Sequence, residues 1–105
     1  LQANAAPTGR VRVHHRPVEQ FVQRTRLNDF GTIVVDPPRT GLSPIVSTAL
    51  IGARVPRVVY VSCDPATLAR DARPFVDGGY TVPDMRGFDL FPRTAHVETV
   101  LTLTR

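Results

Sequence analysis

The sequence contains one cysteine, no lysine and no tryptophan among its 105 residues. A single thiol excludes an internal disulfide, which is typical of a protein of the reducing cytoplasm. All apolar runs are too short to cross a bilayer, so we expect no membrane-spanning helix. The length predicts one small domain with a modest core.

The positive charge comes from arginine alone. All 13 basic residues are Arg, and the formal net charge is +4. One interpretation is the codon usage of a GC-rich genome. The other is recognition of anions, because arginine binds phosphate through two hydrogen bonds and stacks on bases. The arginines are scattered along the chain, so charge alone does not decide between these interpretations.

Strand-like and helix-like stretches alternate along the chain. We predict strands at residues 11–14, 32–35, 57–61, within 80–88 and at 97–103. We predict helices at residues 17–26, 43–52 and from 64 to about 76. Pro83 should interrupt its strand, and Pro74 should kink or shorten the last helix. The β-branched run Thr32–Val35 predicts a strand covered on both faces. This alternation predicts parallel βα units in a layered α/β domain.

Two unusual stretches, Asp36-Pro37-Pro38-Arg39 and Ser62-Cys63-Asp64-Pro65, follow two of the predicted strands directly. In parallel sheets, ligands bind outside the carboxyl ends of the strands. We therefore expect the two stretches to lie side by side over one crevice.

The only thiol, Cys63, lies between a predicted strand and a helix that Asp64 should cap. A helix N-terminus stabilises a thiolate, the nucleophilic form of cysteine, whereas the nearby carboxylate of Asp64 opposes it. Taken alone, this position leaves two interpretations open: a nucleophile, or an inert thiol at the end of a strand.

Three stretches together resemble one enzyme family. They are "FGTIVVDPPRTGL", "VVYVSCDPATLARD" and "FDLFPRTAHVETVLTL", in that order. They are similar to the RNA uracil-5 methyltransferases, which use S-adenosylmethionine. The resemblance implies methylation of C5 of a uridine in tRNA or rRNA. It also implies an incomplete Rossmann-like, S-adenosylmethionine-dependent methyltransferase fold: a mostly parallel sheet flanked by helices, without its first strands.

The resemblance also implies roles for individual residues. Cys63 matches the family's nucleophile, Glu98 its general base and Asp36 a residue that contacts the cofactor. Glu98 taken alone would be read as a solvated surface residue. Arg39 would hold either an RNA phosphate or its own loop. Three further residues would line the uridine pocket or merely pack the loop: Phe91, Arg93 and His96. We expect no metal ligand.

Two features of the family have no counterpart here: the Gly-rich turn after the first strand and the acidic residue after the second. The sequence contains no G-x-G, and His15-Arg16 stand where relatives often have Gly-Asp. We therefore expect residues 1–105 to be a C-terminal fragment of a methyltransferase catalytic domain, inactive alone. The edge of the Thr32–Asp36 strand should then be open, which favours self-association.

Two alternatives stay open. Amino-group methyltransferases also carry a D/N-PP motif, although they usually place an aromatic residue where this chain has Arg39, and they need neither Cys63 nor Glu98. The second alternative is a fragment that binds RNA or a partner without catalysis.

Overall fold

A computed structural model describes residues 17–88 and 98–105. The predicted strand at residues 11–14 lies outside these ranges. So do three of the predicted substrate-binding residues: Phe91, Arg93 and His96.

Helices and strands alternate in the described residues as the sequence predicts, which confirms the α/β class. The elements, with a short 3₁₀ turn at Leu27–Asp29, are α1 (Val18–Arg24), β1 (Thr32–Val35), α2 (Pro44–Gly52), β2 (Arg57–Ser62), α3 (Pro65–Asp77), β3 (Thr81–Phe88) and β4 (Glu98–Thr104).

The four described strands form one mixed sheet in the order β1-β2-β4-β3. β1 and β2 are parallel, whereas β4 lies between β2 and β3 and is antiparallel to both. Three strands therefore point in one direction and β4 in the other, so the described sheet is mixed. The reversal follows from chain length, because residues 89–97 are too few for a crossover between parallel strands.

The starts of α2 and α3 are as predicted. The Ser43 hydroxyl accepts a hydrogen bond from the Val46 amide at 3.4 Å. The Asp64 carboxylate accepts two, from the amides of Ala66 at 3.0 Å and Thr67 at 3.2 Å. A proline follows each capping residue, where its missing N–H has no cost. These local patterns fix where both helices begin.

The predictions for the two prolines differ in outcome. Pro74 lies inside α3, which continues to Asp77, so the expected early end is wrong. The predicted interruption at Pro83 is confirmed, because the β3–β4 register shifts between Thr81 and Asp84. Proline lacks the N–H that a strand ladder uses, so β3 bulges there.

The core lies between the helices and the sheet. Tyr60, Phe75, Leu50 and Leu103 are among its fully buried side chains. Phe75 meets the ring of Tyr80 edge-on, with the ring centroids 5.3 Å apart. All eight residues of β3, in contrast, are exposed.

β1 is not covered on both faces, contrary to expectation. Its residues alternate between exposed and half-buried, and 64% of Val34 is exposed. β-branched residues indicate a strand, but not the number of covered faces. Within the described sheet β1 pairs with β2 alone, and the open edge on its other side stays a prediction. No helix in the described ranges is long and apolar enough to cross a membrane.

Candidate active site

The structure brings Asp36, Cys63 and Glu98 to one end of the sheet. Asp36 follows β1, Cys63 follows β2, and Glu98 is the first residue of β4. The antiparallel register pairs Ser62 of β2 with Thr99 of β4. Continuing that register by one position sets Cys63 opposite Glu98. The chemical roles of the three residues stay predictions.

The thiol of Cys63 is free and half-buried, in a turn that its neighbours hold. The buried Ser62 hydroxyl accepts a hydrogen bond from the Asp64 amide at 3.0 Å and donates one to the Asp64 carbonyl at 2.9 Å. Asp64 in turn caps α3. The thiol is therefore carried by a turn that leads directly into the N-terminus of α3.

Glu98 is half-buried and lies between two different neighbours. On one side the β3–β4 register pairs it with Phe88. On the other side the continued β2–β4 register gives Cys63. Glu98 therefore begins β4 at the end of the sheet where β2 leads into the turn of Cys63.

The loop from Asp36 to Leu42 is held by one face of α3. Thr67 donates its hydroxyl hydrogen to the Arg39 carbonyl at 2.9 Å. Arg70 donates to the Thr40 carbonyl. The Leu42 amide donates to the Asp71 carboxylate at 2.8 Å.

Asp71 is the centre of this arrangement and is 5% exposed. One of its oxygens accepts from both the Leu42 amide and the Tyr60 hydroxyl, the latter at 2.6 Å. The other oxygen lies 3.3 Å from the Arg70 guanidinium. Burial, followed by the hydrogen bond and the negative charge of Asp71, raises the pKa of Tyr60. The Tyr60 hydroxyl therefore stays neutral and serves as a hydrogen-bond donor to the Asp71 carboxylate.

Sequence reasoning missed the three side chains of α3 that hold the loop. Their spacing gave a signal, since Thr67, Arg70 and Asp71 are related by three and four positions and share one helix face. What that face would meet depended on the packing of α3 against the loop after β1, which a sequence pattern does not specify.

Gly41 lets the loop and the helix come this close. Its φ angle is +83°, and a Cβ there would overlap the side chains of Asp71, Arg70 and Thr67. Its amide closes a turn on the Pro38 carbonyl at 2.8 Å. A residue with a side chain is excluded on both conformational and steric grounds.

Two clefts lie near this end of the sheet. The larger, about 920 Å³, is lined by Val34, Asp36 and Pro37 among others, and opens beside β1. The smaller, about 430 Å³, lies between α3 and the strands β3 and β4, and Pro65 and Thr99 contribute to it. Cys63 and Glu98 line neither cleft, but Thr99 and Pro65 place the smaller one next to them.

Comparison with known proteins identifies the family. A family model described as tRNA (uracil-5-)-methyltransferase matches residues 12–105. The chain belongs to this family. The resemblance seen in the sequence motifs is thus confirmed.

Relatives of this family are considerably longer than the chain. An uncharacterized RNA methyltransferase of Streptomyces coelicolor is 48% identical over 102 residues, which cover 95% of the chain and 22% of that protein. One of Thermotoga maritima is 41% identical over 107 residues, covering 99% of the chain and 24% of that protein. The chain therefore spans about a quarter or less of the length of these relatives.

A solved structure of the same family supports the fold. It is the crystal structure of the Pyrococcus abyssi tRNA (uracil-54, C5)-methyltransferase in complex with S-adenosyl-L-homocysteine. The match has a TM-score of 0.66 and 41% sequence identity, and covers 71% of the chain and 18% of that protein. The described residues thus have the architecture of one part of a uracil-5 methyltransferase.

Proposed function

We propose that this chain is the C-terminal part of the catalytic domain of a cytoplasmic RNA methyltransferase. The enzyme methylates C5 of a uridine in tRNA or rRNA with S-adenosylmethionine, through a covalent adduct between Cys63 and C6 of the base. Family membership supports the substrate class. The observation that carries the proposal is the β2–β4 register, which supports a thiol and a carboxylate facing each other, with Asp36 at the same end of the sheet.

The first step belongs to Cys63. C5 of uracil is a weak carbon nucleophile, so the thiolate adds to C6, forming the S–C6 bond while the electrons of the C5=C6 double bond move into an enolate. C5 of this enolate then takes the methyl group. Covalent addition replaces one difficult step by easier ones. The hydrogen bonds between Ser62 and Asp64 hold the turn that carries the sulfur, so that Cys63 stays in place during addition and release.

Glu98 completes the reaction as a general base. Its carboxylate removes the proton from C5, the C5=C6 bond forms again, and the S–C6 bond breaks to return the Cys63 thiolate. General-base assistance of this kind contributes about 10²–10⁴-fold in rate. Phe91, Arg93 and His96 remain proposed as residues that line the uridine pocket.

Asp36 and its surroundings fit one wall of a site for S-adenosylmethionine, which supplies the methyl group when bound. The Asp36 carboxylate is exposed and so available as a hydrogen-bond acceptor, and the nearby Val34 and Pro37 give an apolar surface in the same cleft. A binding site of this kind combines mostly apolar walls with a few placed polar groups.

We expect the isolated chain neither to bind S-adenosylmethionine tightly nor to methylate RNA. The sequence has no G-x-G turn that would let the backbone approach the cofactor. In the proposed parent enzyme, other segments supply that part of the site. Calorimetry on the isolated chain tests this, and micromolar affinity for S-adenosylmethionine would contradict it.

Trapping with RNA that contains 5-fluorouracil tests the proposed reaction in the parent enzyme. Fluorine at C5 does not leave as a proton, so the adduct with Cys63 should persist and migrate as a protein–RNA complex on a denaturing gel. Cys63→Ser should give no such complex, whereas Asp77→Asn, an exposed carboxylate of α3, should trap normally. An amino-group methyltransferase or a non-catalytic RNA-binding protein gives no cysteine adduct, so its absence from the wild-type protein would refute the proposal.

A further inference from the structure

The loop after β1 does not depend on its own arginine. Its backbone groups at positions 39, 40 and 42 are satisfied by side chains of α3: Thr67, Arg70 and Asp71. Arg70 in particular donates a hydrogen bond from its guanidinium to a backbone carbonyl of the loop, which is how an arginine stabilises such a loop. The sequence left two roles open for Arg39: holding an RNA phosphate or holding its own loop. Other residues hold the loop.

The Arg39 side chain is exposed. Within the described ranges, its guanidinium makes no hydrogen bond or ion pair, as is true also of Arg24, Arg26, Arg54 and Arg57, whereas those of Arg70, Arg73 and Arg86 each contact a carboxylate. Its backbone, in contrast, is fixed by the hydrogen bond from Thr67. A fixed backbone with an unengaged cationic side chain is suited to an external anion, because less conformational freedom is lost on binding.

Arg39 also lies at the reactive end of the sheet. Its carbonyl contacts Thr67, which belongs to the first turn of α3, and Cys63 directly precedes the Asp64 cap of that helix. The backbone of Arg39 therefore lies against the first turn of the helix whose cap directly follows the thiol. The RNA backbone carries a phosphate at every nucleotide, and arginine binds phosphate through two parallel hydrogen bonds.

We propose that Arg39 binds a backbone phosphate of the RNA substrate next to the target uridine, and that Thr67 positions it by holding its carbonyl. This inference rests on the proposed function. Arg70 and Asp71 support the same loop, and Gly41 permits the close approach of loop and helix. Thr67 is thus a positioning residue, which acts on RNA through Arg39.

The test measures the affinity of the parent enzyme for a fluorescently labelled tRNA transcript over a range of salt concentrations. Arg39→Ala should weaken binding by about tenfold or more, as expected for a charged hydrogen bond. It should also reduce the slope of log affinity against log salt by about 0.7–0.9, since one phosphate contact is lost. An unchanged slope would overturn the role of Arg39, as would a wild-type enzyme that does not bind the transcript.

A double-mutant cycle tests the role of Thr67. Thr67→Val should weaken binding by about two- to tenfold in the wild-type background and should have no effect in the Arg39→Ala background. Thr81→Val is the matched control, because it removes one hydrogen bond to the Thr104 carbonyl away from the site. The two valine variants should melt at similar temperatures, but the control should bind RNA normally. Equal losses from Thr67→Val in both backgrounds would overturn its positioning role.

Methyl transfer by the same parent enzyme separates this inference from the proposed function. The inference alone is refuted if the enzyme methylates uracil in RNA but Arg39→Ala does not change the slope of log affinity against log salt. An enzyme that methylates no uracil refutes the proposed function, whatever its salt slope.

Discussion

The two loops at the reactive end of the sheet are stabilised in opposite ways. The turn after β2, which carries Cys63, is held by hydrogen bonds between residues two or three positions apart. The loop after β1, which carries Asp36 and Arg39, is held by hydrogen bonds across 28 to 30 positions. The proposed nucleophile thus sits in a locally determined turn, whereas the proposed binding residues depend on tertiary packing.

This difference explains how much the sequence alone could predict. The Asp64 cap, the start of α3 and the order of the elements follow from neighbouring residues, and all were predicted correctly. The network around Asp71 was missed because its partners are far apart in the chain. The exposure of Val34 was missed for a related reason, since a β-branched run does not reveal what covers a strand. Asp36, Cys63 and Glu98 were named from family motifs. Asp36 and Cys63 follow the carboxyl ends of parallel strands, where ligands bind in such sheets, and Glu98 lies at the same end of the sheet.

The largest effect on stability should come from Asp71→Ala. It leaves the buried Tyr60 hydroxyl and the Leu42 amide without their acceptor, and each loss costs about 1–3 kcal/mol. We expect the free energy of unfolding of the chain to fall by about 2–4 kcal/mol in urea denaturation. Asp77→Ala, which removes an exposed carboxylate from the same helix, should change it by less than about 0.5 kcal/mol. Equal effects of the two variants would mean that tertiary contacts do not hold the loop after β1.

Gly41→Ala should come next. The substitution forces a left-handed backbone on alanine, which costs about 1–2 kcal/mol, and its Cβ overlaps the side chains of α3. The matched control is Gly52→Ala at the end of α2, where an added Cβ meets nothing within 4 Å. Urea denaturation should show a clear loss for Gly41→Ala and a neutral or slightly stabilising change for Gly52→Ala. A neutral Gly41→Ala would show that the loop tolerates separation from the helix.

Alkaline pH should weaken the hydrogen bonds around Asp71, which hold the loop after β1, before it weakens the turn after β2. The pKa of Tyr60 is raised in the folded chain, so its contribution to stability is fully present below about pH 10 and is lost as the pH rises further. The unfolded chain then binds fewer protons than the folded chain, so the free energy of unfolding falls by about 1.4 kcal/mol per pH unit for this group.

Above about pH 10, Tyr60→Phe should remove the contribution of Tyr60 to the fall of the free energy of unfolding with pH. The chain contains no lysine, whose ionisation would otherwise overlap this range. The pKa of Tyr80 is also raised, chiefly by burial, so Tyr80→Phe should likewise reduce the fall of the free energy of unfolding with pH. Denaturation at several alkaline pH values gives both slopes. A Tyr60→Phe slope equal to that of the wild type would contradict the buried Tyr60–Asp71 pairing.

Asp64→Ala should destabilise the chain less than Asp71→Ala or Gly41→Ala. It removes the cap of α3, which costs about 1 kcal/mol, and leaves the tertiary contacts of the helix in place. Ser43→Ala at the start of α2 should cost less, because its capping hydrogen bond is longer, at 3.4 Å. A loss from Asp64→Ala as large as that from Asp71→Ala would remove the contrast between the two loops.

The most direct test of the proposed chemistry compares Cys63→Ala with Glu98→Gln in the parent enzyme, using RNA and S-adenosylmethionine with a radiolabelled methyl group. Cys63→Ala should transfer no label, because no enolate forms without addition at C6. Glu98→Gln should transfer label once and stall before C5 loses its proton, leaving labelled RNA covalently bound to protein on a denaturing gel. Release of product should slow by about 10²–10⁴-fold. Labelled RNA product from Cys63→Ala, or normal turnover by Glu98→Gln, would contradict the account.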